Sequence, residues 1–122
     1  MKQTNRKGAT AVEFALVLPI SFAIVLGLME WGRFEMVRQV TSTAAFNGSR
    51  LGSIPGATDV DVEARVNDIL GVYFVTGATV TSTFSIEETT VLVQVPMDQN
   101  SFFLKHLFGS LTLEREFTIY AD

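Results

Sequence analysis

From Phe14 to Met29 the chain reads FALVLPISFAIVLGLM, 16 residues without a charge. Extended back to Ala9 and on to Trp31, the segment has 23 residues, interrupted only by Glu13 and Glu30. As a helix rising about 1.5 Å per residue it is roughly 34 Å long, enough to cross the hydrocarbon of a bilayer. After Trp31 the pattern changes. Val37, Val40, Ala44, Ala45, Gly48 and Leu51 recur at spacings of three and four, opposite Glu35, Arg38, Gln39, Ser42 and Ser49. This predicts that the helix continues to about Leu51 with one packed face. Gly48 and Gly52 are expected to mark a fraying helix end, with close approach of another element as the alternative. Gly52-Ser53-Ile54-Pro55-Gly56 is a stop and a loop.

Thr58 or Asp59 can cap a second helix whose first turn carries Asp61 and Glu63. Val62, Val66, Ile69 and Leu70 form its apolar stripe, and Gly71 and Gly77 punctuate its exit. Period-two runs follow. Ala78–Ile86 sets Val80, Phe84 and Ile86 against Thr79, Thr81, Thr83 and Ser85. Glu87-Glu88 is the expected hairpin tip. Thr90–Pro96 places Val91, Val93 and Val95 on one face, and Leu111–Tyr120 places Leu111, Leu113, Phe117 and Ile119 opposite Thr112, Glu114, Glu116 and Thr118. Such runs fit strands of a half-buried antiparallel sheet. The connection Met97–Ser110 is expected to form a short helix over the sheet, with Phe102, Phe103 and Phe108 in the core; an adhesive or subunit patch is the alternative. The fold class is α+β: a long N-terminal transmembrane helix extending into a small domain with a second short helix and a three-stranded antiparallel sheet.

Charge gives the apolar segment a direction. Net charge is −4, but Lys2, Arg6 and Lys7 precede the segment with no acidic residue among them. Beyond it, Arg33 and Arg38 are offset by Glu30 and Glu35. The positive-inside rule puts the N-terminus in the cytoplasm and the bulk of the chain outside, with Trp31 as an interfacial aromatic. A buried core helix and a cleaved secretory signal are the competing readings. The first sits poorly with a basic head beside 16 uncharged residues, and the second with Glu30-Trp31-Gly32-Arg33 in place of a small-x-small site. Glu13 is the anomaly: an ionised carboxylate costs about 2.5–3.5 kcal/mol at mid-membrane and less near the interface. It is either a functional group or a side chain at headgroup depth. Pro19, deep in the helix, removes one backbone bond and favours a kink.

Other chemistry is sparse. The chain has no cysteine and one histidine, His106, so thiolate sites, disulfides and paired-histidine sites are excluded. Without the three leading cations, 6 basic residues face 13 acidic ones, which argues against nucleic acid as a partner. Asp59, Asp61 and Glu63 lack the spacing and glycine of a calcium loop and read as helix-dipole charges. Arg115, between Glu114 and Glu116, is expected to be paired or solvated at a sheet edge. There is no phosphate loop, nucleophile elbow or pair of catalytic carboxylates, and no cofactor is implied. The chain is not read as an enzyme.

Arg6-Lys7-Gly8-Ala9-Thr10-Ala11-Val12-Glu13-Phe14-Ala15-Leu16-Val17-Leu18-Pro19 resembles the TadE-like family of pilin or pseudopilin components of the tight-adherence (Flp/Tad) pilus system. Gly27-Leu28-Met29-Glu30-Trp31-Gly32-Arg33 looks like that family's Gly-x-x-Glu-aromatic-Gly-Arg block. Ala44-Ala45-Phe46-Asn47-Gly48-Ser49-Arg50 looks like its Ala-rich segment, with Asn47 where the family usually has an acidic residue. The resemblance implies a basic leader over residues 1–8, cut by a prepilin peptidase between Gly8 and Ala9. A membrane helix over 9–31, its extracytoplasmic extension over 32–51 and a head over 52–122 would follow. Glu13 becomes the fifth residue of the mature chain, placed to neutralise the new ammonium of another subunit's Ala9, since a charge in lipid costs less when paired. The partners implied are the peptidase, other pilins or pseudopilins, the Tad inner-membrane assembly platform and the bilayer. An uncleaved anchor for a periplasmic binding or scaffold module is the other reading.

Overall fold

The computed structural model joins the apolar segment and the small-residue stripe into one helix, α1 (Thr4–Gly52), of 49 residues. The structure describes residues 4–103, 105 and 111–120, with the backbone alone for 4–7. At about 1.5 Å per residue α1 is roughly 73 Å long. It runs through Pro19 as a single helix, although the ring leaves the carbonyl one turn back without its usual N–H. α1 contains a stretch long and apolar enough to cross a membrane, and none of that stretch is buried within the chain.

A second helix, α2 (Asp59–Val72), packs against the C-terminal half of α1. Thr58 starts it with a capping box. Its Oγ1 accepts from the Asp61 N–H at 3.3 Å, and the Asp61 carboxylate accepts from the Thr58 N–H at 3.0 Å and from its hydroxyl at 2.7 Å. These bonds, the side-chain one foremost, hold the Asp61 carboxyl below its ordinary value of 3.8. β1 (Thr79–Phe84), β2 (Glu88–Pro96) and β3 (Thr112–Tyr120) form an antiparallel meander in that order. A single-turn helix, α3 (Met97–Asn100), follows β2.

The core lies where α1, α2 and the inner sheet face meet. Val37, Val40, Ala44 and Ala45 of α1 pack with Val62, Val66 and Leu70 of α2 and with Val91, Val93 and Val95 of β2. The outer sheet face is polar. There the Thr90 and Thr118 hydroxyls lie 2.9 Å apart, and the Gln94 amide donates to Glu114 at 3.1 Å.

Four expectations are corrected. Gly48 and Gly52 are buried contacts, not a fraying end. A Cβ at Gly48 would stand 2.8 Å from Val66 Cγ2, and one at Gly52 would stand 2.8 Å from Thr89 Cγ2. Ser49, placed by periodicity on the polar face, is fully buried; its hydroxyl is satisfied by the Phe46 carbonyl at 2.9 Å. The hairpin tip lies one residue earlier than expected. Glu88 already pairs with Tyr120, the Ser85 N–H closes the turn on the Glu88 carbonyl, and Ile86 sits in the turn, 96% exposed. Phe102 and Phe103 are not core: they are 55% and 56% exposed, because their backbone is held at the edge of the domain by α1. Phe108 and His106 lie outside the described residues.

Candidate functional site: the base of the head

The two charged residues of the Gly27–Arg33 block lie where the exposed half of α1 meets the packed half. Neither is solvated. Glu30 is 2% exposed and Arg33 is buried as well. Offset charges on a helix surface would be expected to face water or each other. Instead, their bonds go to the backbone of two loops distant in sequence. Glu30 accepts from the Phe102 N–H at 3.1 and 3.2 Å and from the Phe103 N–H at 3.0 Å. Arg33 donates from Nε to the Asn100 carbonyl at 2.9 Å, from Nη1 to that of Tyr73 at 3.0 Å and from Nη2 to that of Phe74 at 3.0 Å. Its guanidinium also lies over the Phe102 ring, 5.4 Å from the centroid. Spacing of i, i+3 puts both side chains on one helix face, so they act together as a clasp.

Asn100, also buried, ties the two clasped loops to one another. Its Oδ1 accepts from the Thr76 N–H at 2.9 Å, and its Nδ2 donates to the carbonyls of Thr76 at 2.9 Å and Pro96 at 2.7 Å. Arg33 therefore gathers the exits of α2 and α3, Glu30 holds the segment after α3, and Asn100 closes the ring. Among the described residues no buried side-chain nitrogen or oxygen lacks a partner. Charge-assisted bonds to otherwise orphaned loop backbone are the strong class of hydrogen bond, and their loss would expose several backbone groups at once. In the sequence Glu30 and Arg33 share a block, but nothing along the chain shows the loops they bind. Asn100 lies within the polar run Asp98-Gln99-Asn100-Ser101 and carries no signal of its own.

The remaining residues of the block are arranged otherwise. Gly27 and Gly32 face open space, where an added Cβ would meet nothing within 4 Å. Trp31 is exposed, with its ring 6.0 Å from that of Phe34. In the Ala-rich segment, Ala44, Ala45 and Gly48 are core, and Asn47 donates back to the Thr43 carbonyl at 2.8 Å.

Gly8, Ala9 and Glu13 belong to a different place. They lie exposed on the first turns of α1, and Glu13 is about 25 Å from Glu30 along the helix. The structure does not bring them together with the clasp. Gly8 and Ala9 lie inside the helical span, and a Cβ at Gly8 would meet nothing within 4 Å. Pro19 lies between the two places, on the exposed apolar half.

Comparison with known families ties these places together. Residues 8–50 match the TadE-like protein family, so the match begins at Gly8, spans Glu13 and the clasp, and ends at Arg50. Comparison with curated proteins and with solved structures gives no match.

Proposed function

From the TadE-like match over residues 8–50 we propose that the chain is a minor pilin or pseudopilin of a tight-adherence (Flp/Tad, type IV-like) pilus, acting in pilus assembly for surface adherence. The match supports a pilin-like, pilus-associated role. The finer reading is that the chain inserts with its N-terminus in the cytoplasm, as a single-pass protein of the bacterial inner membrane. A prepilin peptidase cuts it between Gly8 and Ala9. The mature chain then joins other pilins or pseudopilins and the Tad inner-membrane platform. In this reading it is a substrate of an enzyme and not itself one.

The single observation that carries the proposal is the span of the match. It joins the Gly8–Ala9 and Glu13 spacing, an apolar helix with no burial inside the chain, and the clasp that mounts the head. Local physics supports the cut. A peptidase needs its bond unwound, and glycine has among the lowest helix propensities, about 1 kcal/mol worse than alanine. Gly8 also has no packing to hold it in place. After cleavage the Ala9 ammonium and the Glu13 carboxylate are opposite charges four residues apart in sequence. Pairing them between neighbouring subunits lowers the cost of keeping either in an apolar environment and favours one helix stagger.

N-terminal sequencing of protein recovered from membranes that contain the cognate peptidase tests the proposal. A start at Ala9 is expected, and Gly8→Ala should hinder processing. Glu13→Ala should be processed yet recovered with fewer other pilins. An intact leader under these conditions would favour the uncleaved anchor of a periplasmic binding or scaffold module, and unchanged recovery of other pilins with Glu13→Ala would remove the pairing role.

A further inference from the structure

Five aromatic side chains lie beside α1 where its apolar surface ends. Trp31 is on the helix, Tyr73 and Phe74 follow α2, and Phe102 and Phe103 follow α3; all five are exposed. The clasp sets their level. Glu30, next to Met29, holds the Phe102 and Phe103 amides, and Arg33, one turn on, holds the Tyr73 and Phe74 carbonyls. The exposed apolar surface of the first half of α1 thus continues onto the underside of the head. Phe74 adds an independent sign. It is 84% exposed and sits at a φ of +55°, a left-handed conformation that large side chains rarely adopt. A glycine would relieve that backbone. The left-handed turn ends α2, with the Phe74 N–H on the Gly71 carbonyl and the Val75 N–H on the Leu70 carbonyl; what stands out is a phenyl ring there that packs little within the chain.

We propose that these rings form an interfacial collar that seats the head on the outer leaflet of the bilayer crossed by α1, with the aromatic side chains at headgroup and upper acyl-chain depth. The occupant is the bilayer because the patch starts where the membrane-spanning surface stops and is continuous with it. Trp31 and Tyr73 are of the aromatic type that collects at membrane–water interfaces, and Phe74, Phe102 and Phe103 are of the apolar kind that enters the headgroup–acyl boundary. The collar fixes the tilt of the head against the membrane, and passage into a filament requires another surface to cover it. The inference rests on the membrane-spanning reading of α1.

Trp31 is the only tryptophan, so the full chain in lipid nanodiscs carries its own reporter. Lipids brominated near the glycerol should quench wild-type Trp31. In a Trp31→Phe background, Phe74→Trp and Phe103→Trp should show blue-shifted emission and loss of intensity with the same lipids. Ile86→Trp, at the hairpin tip beside the far end of α1, should show neither. Quenching at 74 and 103 no stronger than at 86, whether water or a second copy covers the rings, overturns the collar while Trp31 quenching upholds the span. Unquenched wild-type Trp31 overturns the span itself. Phe74→Gly suits the positive φ, so it should leave head stability in detergent equal or higher and reduce quenching of the Phe103→Trp reporter. Unchanged quenching there removes Phe74 from the collar.

Discussion

The two halves of α1 are one continuous helix built for two surroundings. From Gly8 to Met29 every residue is exposed, and large apolar side chains point in all directions. From Glu30 to Gly52 the helix has one buried face, of Val37, Val40, Thr41, Ala44, Ala45, Gly48 and Ser49, and an opposite face that carries Gln39, Thr43 and Arg50. The first half has bulk and no partner within the chain. The second has small residues and partners everywhere. Surface that must meet lipid tails needs only to be apolar, because it has no fixed shape to match. A helix face that packs against α2 and a sheet must be small where backbones approach. The boundary between the two regimes is marked by Glu30 and Arg33, whose charges are used up on loop backbone.

Substitutions that ignore this division should behave very differently in the two halves. The largest effect is expected at Gly48. Gly48→Leu forces a side chain into the space held by Val62, Val66 and Val91, and should destabilise the head by about 3 kcal/mol in denaturant titrations of the detergent-solubilised chain. The same change at Gly27, which faces open space, should leave head stability unaltered; equal losses at both positions would erase the distinction. Next comes the clasp. Arg33→Ala should cost about 2–3 kcal/mol through loss of charge-assisted bonds and desertion of three carbonyls, with faster hydrogen exchange at the Phe102 and Phe103 amides. Trp31→Ala, two residues away and exposed, should stay within about 0.5 kcal/mol of wild type.

Apolar truncations sharpen the contrast on a smaller scale. Val37→Ala removes a fully buried side chain and should cost about 2 kcal/mol. Val25→Ala, exposed on the apolar half with no partner in the head, should not change the unfolding midpoint of the head. The smallest effect concerns pH. The Asp61 carboxyl is held below 3.8 by its bonds to Thr58, so its contribution is complete above that value and fades as pH falls through the lowered one. Thermal melts should show that Asp61→Ala is slightly less stable than wild type near neutral pH, with the gap closing in acid. A gap that widens in acid would contradict the capping box.

The residues differ in how far their neighbours could be anticipated. Thr58 and Asp61, three apart ahead of an apolar stripe, announce a capped helix because the partners are local. Val91, Val93 and Val95 announce a strand's inner face for the same reason, since alternation is a property of the chain and not of its neighbours. Helical periodicity assigns polar residues outward, but the Ser49 hydroxyl bonds within its own helix and so tolerates burial. Hydrophobicity alone assigns Phe102 and Phe103 to the core, whereas Glu30, more than 70 positions away, holds their amides at the rim.

What the sequence determined by itself is therefore whatever depends on near neighbours along the chain. That covers the apolar helix and its length, the basic residues ahead of it, the Gly8, Ala9 and Glu13 spacing, the cap of α2 and the faces of the strands. Only the tertiary structure decided the role of the Glu30–Arg33 pair, the burial of Gly48 and Gly52, and the gathering of exposed aromatics at the base of the head. Those depend on which loops arrive at which helical turn, and loops that meet across 40 to 70 residues leave no period for a sequence to display.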